Sequence, residues 1–381
     1  MGQALSGRPF RLKWEEPAVA SDDDLYAKAG VDTTRAEKAL DPLLRRARET
    51  LRLPGAGAVV LGPGFFAAVL DLGGNLGLAL STDNVGTKVL VAQMMGKYDT
   101  VGIDCVAINV NDVLCVGARA LAMVDYLAVA QARSDLLDQI AAGFAEGCKR
   151  AEIALVGGEL AQVPDIIVGE RPGYAFDLSG SCVGALDLRR MIAGKDAQPG
   201  DAIIGLASSG IHSNGLSLAR HIFFKEQGWK ADRHLDEFGR TVGEELLEPT
   251  AVYAREVSDL LASRIHVHGL AHISGDGLLN LLRLQNDLGY IIEQLPPAPP
   301  IFQVIQRLGK VPDEEMFRIF NMGVGFCVVV PAEESEGAIS ICKSHGREAF
   351  ALGRVVSEPK GAILIEPLGL KGQDNRFQKF R

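Results

Sequence analysis

The sequence predicts an α/β protein made of two successive units, each a mixed sheet flanked by helices. Three observations point to this. Apolar strands end in glycine-containing polar turns that open helices, at Leu76–Lys88 and again at Asp201–Phe223. A charged, glycine-containing stretch, Arg189–Asp201, then interrupts the pattern near the middle of the chain. Beyond it the rhythm of strand, loop and helix restarts. The expected organisation is a flexible arm at 1–24, a first domain at 25–187 and a second at 188–381.

With 381 residues and 47% apolar content the chain can bury real cores. A formal net charge of −9 without a basic run argues against nucleic acid as a partner, since that binding needs clustered Lys and Arg. The six cysteines, Cys105, Cys115, Cys148, Cys182, Cys327 and Cys342, stand far apart in mostly apolar runs. They read as buried thiols in a reducing cytosol, not as a disulfide framework or zinc site. Asp71 and Asn75 break the best membrane candidate, Phe65–Leu80, and the N-terminus lacks a signal-peptide layout, so the expected location is cytoplasmic.

Asp32–Leu53 carries Ala36, Leu40, Leu43, Leu44, Ala47 and Leu51 at helical spacing, an amphipathic helix. Leu76, Leu78 and Leu80 alternate with Gly77 and Ala79 as a strand that ends in Asp83, Asn84, Gly86, Thr87 and Lys88. A carboxylate, a hydroxyl, an ammonium and turn amides together suit a nucleotide phosphate with its magnesium. An ordinary polar turn is the rival reading. Val101–Val116 is a buried helix interrupted by Asp104 and Asp112. A buried carboxylate is costly unless paired, hydrogen-bonded or metal-bound, so Asp112 is a functional candidate and Asp104 a candidate cap. A strand at Leu121–Val129, a helix at Asp135–Ala151 and a strand at Ala154–Val156 follow, the last running into Gly157, Gly158 and Glu159. Asp177–Leu186 completes the first unit as a strand.

The second unit opens with the strand Asp201–Leu206, the loop Ala207–Gly215 and a helix bearing Leu216, Leu218, Ala219, Ile222 and Phe223. Strand, Gly/Ser loop and helix N-terminus are an arrangement that binds phosphate, to which His212 and Asn214 would add donors, and a capped turn is the rival reading. His272 stands beside another glycine-containing turn that opens a helix. After the proline-rich connector Leu295–Ile301 come a helix at Glu314–Phe320, a strand at Val324–Pro331, a helix at Ala332–His345 and strands at Ala349–Val356 and Ala362–Glu366.

Taken together, nine stretches resemble the phosphoribosylformylglycinamidine cyclo-ligase (aminoimidazole ribonucleotide synthetase) family. They are YAKAGVD (26–32), STDNVGTK (81–88), GIDCVAINVNDVLCVGA (102–118), VGGE (156–159), FDLSGSCVG (176–184), GLASSGIHSNG (205–215), LLEPT (246–250), AHISGDGL (271–278) and FNMGVGF (320–326). The resemblance implies two α/β domains and a homodimer formed through the N-terminal halves. It also implies an ATP-dependent ring closure of formylglycinamidine ribonucleotide, with magnesium, in purine biosynthesis. Carried over, Asp83, Asp112 and Glu159 would hold magnesium and ATP, and Gly86, Thr87 and Lys88 would touch phosphates. Ser209, His212, Ser213 and Asn214 would meet the substrate or the transferred phosphate, with His212, Lys88 and Asp112 as the catalytic set. Lys28 and Asp32 would lie near the site.

The chain departs from the family pattern at Asn84, Leu160, Gln162, Asp276 and the stretch Gly62, Pro63, Gly64, Phe65, Phe66. Asn84 can keep a glycine-type turn because Asn tolerates positive φ. Asp276 would add a ligand or cap a helix. The rivals are another ATP-using enzyme of the superfamily, such as a selenophosphate synthetase or thiamine-monophosphate kinase, and a silent nucleotide-binding regulatory dimer.

Overall fold

The computed structural model describes residues 26, 29–30, 33–51 and 57–380. Lys28 and Asp32 lie outside the described residues. Helix α1 (Thr33–Thr50) follows the amphipathic pattern, with Leu40 and Leu43 exposed. The first sheet is ordered β1 (Ala58–Leu61), β2 (Ala68–Asp71), β3 (Leu76–Asn84), β6 (Phe176–Asp187), β4 (Arg119–Val129), β5 (Ala154–Gln162). All neighbours are antiparallel except β4 and β5.

Helices α2 (Lys88–Met95), α3 (Val101–Leu114) and α4 (Ser134–Ala151) belong to this unit, and α3 packs on β3, β4 and β6. α3 and α4 approach closely because glycines face each other: a Cβ at Gly102 would strike the Phe144 backbone, and one at Gly143 the Asp99 carbonyl. The other sheet face is bare, leaving Val124, Tyr126 and Val156 exposed.

The second sheet runs β10 (Gly269–His272), β12 (Val324–Val330), β7 (Ala202–Ala207), β13 (Ala349–Val356), β11 (Gly289–Ile292), β14 (Ile363–Ile365), β15 (Leu370–Gln373), β16 (Arg376–Lys379). Only β11 and β14 are parallel neighbours. A small hairpin, β8 (His234–Leu235) and β9 (Arg240–Thr241), stands apart. The helices here are α5 (Leu216–Arg220), α6 (Val242–Leu246), α7 (Ala254–Ala262), α8 (Pro300–Gly309), α9 (Asp313–Ile319) and α10 (Ser335–Ser344). Contacts of α3 with α7 and β10 tie the two units together.

The expected mixed α/β architecture is present. All six cysteines are buried and free, and none of the described helices is long and apolar enough to cross a membrane. Three local expectations differ. β5 does not stop before its glycines but continues through Glu159 to Gln162. Asn84 stays out of the positive-φ region, and Gly86 (φ 65) makes the turn instead. Asp276 adopts φ 72 without a side-chain capping bond.

Candidate active site

The end of β3 and the start of α2 meet the loop between β7 and α5 across the domain junction. A cavity of about 230 Å³ lies there, lined by Tyr26, Asp83, Asn84, Gly86, Thr87, Ser213, Asn214, Gly215 and Ser217, among others. Two helix N-termini face it, that of α2 after Thr87 and that of α5 after Gly215. Unpaired N–H groups at such ends favour an anion. The Thr87 and Ser217 hydroxyls lie 3.1 Å apart and join the two walls.

Deeper in the junction stands Asp112. Its Oδ1 is 2.9 Å from His272 Nδ1, and its Oδ2 accepts from Ser81 Oγ at 3.4 Å. His272 is 3% exposed and Asp112 17%, so the histidine backs a carboxylate that keeps some accessible surface, close enough to Asp83 for its charge to act there. Asp83 retains surface open to the cleft, yet the protein around it displaces enough water to push its carboxyl above the ordinary value. The Asn84 amide, 2.7 Å from Oδ1, opposes this rise, and the charge of Asp112 adds to it.

Several expected site residues are elsewhere. Lys88 does not reach the cavity: its side chain is fully buried and its Nζ donates to Asp104 Oδ1 (2.8 Å), the His212 carbonyl (3.2 Å) and the Glu248 carbonyl (2.6 Å). Asp104 Oδ1 also accepts from the Thr250 amide and hydroxyl and from Ser213 Oγ, so Asp104 is an interdomain anchor and not a cap.

His212 is 1% exposed at φ 61, and its Nε2 accepts from the Ser209 and Ala251 amides at 3.2 and 3.4 Å. Burial first, then nearby His272 and Lys88, holds its protonation well below the ordinary histidine range. Ser209 Oγ donates to the Pro249 carbonyl, away from the cavity lining. Ser213 and Asn214 do line the cavity.

Glu159 leaves the sheet on the wrong face for Asp83. Asp83, Gly180, Asp125 and Gly158 form one row across four strands, and paired neighbours share a face. A Cβ at Gly180 would meet Cys105 and Asn109 of α3, and one at Gly158 would strike Asp125, so the row faces the helices. Glu159 is next along β5 and therefore points to the bare face, paired with Tyr126. Among the described residues no three metal-ligating side chains converge. Asp125, whose carboxyl burial raises, was missed in the sequence because it sits within an apolar strand. The glycines opposite it were the available signal.

Residues 65–186 match the family model described as AIR synthase related protein, N-terminal domain, and residues 198–366 match its C-terminal domain. A phosphoribosylformylglycinamidine cyclo-ligase from Thermococcus gammatolerans is 48% identical over 91% of this chain and 99% of its own length. The chain belongs to the phosphoribosylformylglycinamidine cyclo-ligase family. The family member from Thermococcus kodakarensis is 47% identical, again over 91% of this chain and 99% of its own length. Hydrogenase maturation protein HypE in complex with ATP shares the fold at 20% identity, with a TM-score of 0.56 over 79% of this chain and 84% of that one. The resemblance read from the nine motifs thus holds at the level of family.

Proposed function

We propose that this protein converts formylglycinamidine ribonucleotide and ATP into 5-aminoimidazole ribonucleotide, ADP and phosphate. Relatives named for this activity that match nearly the whole chain support the reading. The observation that carries it is the cavity where the turn after β3 meets the loop before α5. The γ-phosphoryl group passes to the formyl-amide oxygen, the amidine nitrogen attacks the formyl carbon, and phosphate departs with that oxygen as the nitrogen loses a proton. Such a transfer needs alignment and charge neutralisation more than a strong base. Amides at the two helix ends, with Thr87, Ser213 and Asn214, would hold the phosphates. Ser81 and His272 keep the Asp112 carboxylate in one orientation.

Magnesium bound with a nucleotide needs only one or two carboxylates beside the phosphate oxygens. Asp83 and Asp112 fit this: the charge of Asp112 disfavours ionisation of Asp83, which a divalent cation relieves. When bound, the cation would neutralise charge on the transferring group.

The bare face of the first sheet fits a homodimer of N-terminal halves, since Val124, Tyr126 and Val156 form an apolar surface of the kind that partners cover. Glu159 lies on that face. Light scattering should give twice the 40.7 kDa chain mass, and Tyr126→Arg should reduce it.

A turnover assay with formylglycinamidine ribonucleotide, ATP and magnesium tests the reaction. Product should form only with all three, and Asp112→Ala should lower the rate by about 100-fold or more. Folded, ATP-binding protein that forms no product would sink this reading and direct attention to other superfamily substrates.

A further inference from the structure

A second cavity, of about 600 Å³, lies between α1 and the Gly62–Phe65 turn. Arg45 and Arg48 of α1 line it from one side, and Arg283 and Gln285 of the second unit line it from the other. None of these three arginines has an ion pair among the described residues. The one acid in the lining, Glu49, is drawn to Arg46 at 3.2 Å. Three arginines against one glutamate leave two positive charges in the lining of a chain whose net charge is −9. A phosphomonoester carries nearly two negative charges at neutral pH, and guanidinium groups match its oxygens in pairs.

Arg283 connects this cavity to the cleft. Its guanidinium carbon lies 5.1 Å from the centre of the Phe66 ring, and its charge acts on the carboxyls of Asp83 and Asp276. An elongated substrate could therefore place an anionic end among the arginines and its reacting end beside Asp83. The geometry points to this cavity as the seat of the substrate ribonucleotide's 5′-phosphate, held by Arg45, Arg48 and Arg283. The assignment rests on the ring-closure reading for the identity of the substrate, and only for that. It gives a role to the departing Gly-Pro-Gly-Phe-Phe stretch, which forms the wall opposite α1.

Two measurements on the full chain test it. In steady-state kinetics, Arg45→Gln and Arg48→Gln should each raise the KM for formylglycinamidine ribonucleotide by about ten-fold or more, with the KM for ATP and kcat within about two-fold of wild type. Both arginines lie on an exposed helix, so the variants should fold. In calorimetry, ribose 5-phosphate should bind the wild-type protein and bind at least about ten-fold more weakly to Arg48→Gln and Arg283→Gln. Turnover with an unchanged substrate KM overturns the phosphate seat and leaves the reaction standing. Arginine-dependent binding of ribose 5-phosphate without turnover does the reverse. Ribose 5-phosphate binding that ignores both of these substitutions also overturns the seat.

Discussion

Replacing Lys88 by methionine should loosen the junction between the two units. The ammonium is fully buried and makes three bonds, to Asp104 Oδ1 and to the carbonyls of His212 and Glu248. Removing one partner of a buried pair typically costs about 3–5 kcal/mol, because the other charge is left without compensation. Asp104 Oδ1 would keep its bonds from the Thr250 amide and hydroxyl, at 2.7 and 2.6 Å, which places the expected loss near the lower end, about 3 kcal/mol. Urea unfolding followed by circular dichroism would read the change. The double variant Lys88→Met/Asp104→Asn should recover part of the loss, since the neutral amide oxygen still accepts from Thr250 and no charge is stranded. A single variant within about 1 kcal/mol of wild type, or a double variant whose losses simply add, would refute the reasoning.

Asp83→Asn should raise thermal stability at pH 7 while lowering turnover. The raised carboxyl pKa means that the folded state binds more protons than the unfolded state above the ordinary value of 3.8, so ionised Asp83 costs stability as pH rises through that window. The gain should vanish in scans below that value. His212 stays neutral when buried, with its pKa lowered, so folding stability should fall as pH drops below the ordinary 6.5. His212→Asn, which tolerates φ 61, should flatten that fall without moving the pH profile of kcat. Gly86→Ala should cost about 1 kcal/mol and weaken ATP binding, since φ 65 strains an alanine there; an ATP titration beside a melt checks both effects.

Periodicity alone located most elements. Leu76–Leu80 alternates as β3 does, and the apolar run from Val101 is α3, because each pattern is decided within the segment itself. The cavity loops were also legible, as glycines, hydroxyls and a strand-end carboxylate occur together at Asp83–Thr87 and at Ser213–Gly215. Lys88 was not. A lysine after a glycine turn looks like a phosphate ligand, and only partners 124 and 160 positions away reveal it as an anchor. His212 misled for a related reason: its loop position suggested access, whereas folding packs the ring beneath the backbone of residues 209 and 251. Glu159 turned on the length of β5, since a strand that continues past its glycines sends adjacent side chains to opposite faces.

Helix α3 carries Asp104 near its start and Asp112 near its end, eight residues or about 12 Å apart along the axis. The first is gripped by the second unit through Thr250 and Ser213, and the second holds a carboxylate against His272 whose charge acts on Asp83. With Gly102 and Gly143 holding the helix against α4 almost backbone to backbone, little soft material lies between the two points. The helix therefore behaves as a connecting rod. Any hinge motion that slides or tilts the second unit at Asp104 is delivered to Asp112 as displacement, so opening the junction and misaligning the cleft carboxylate are a single mechanical event.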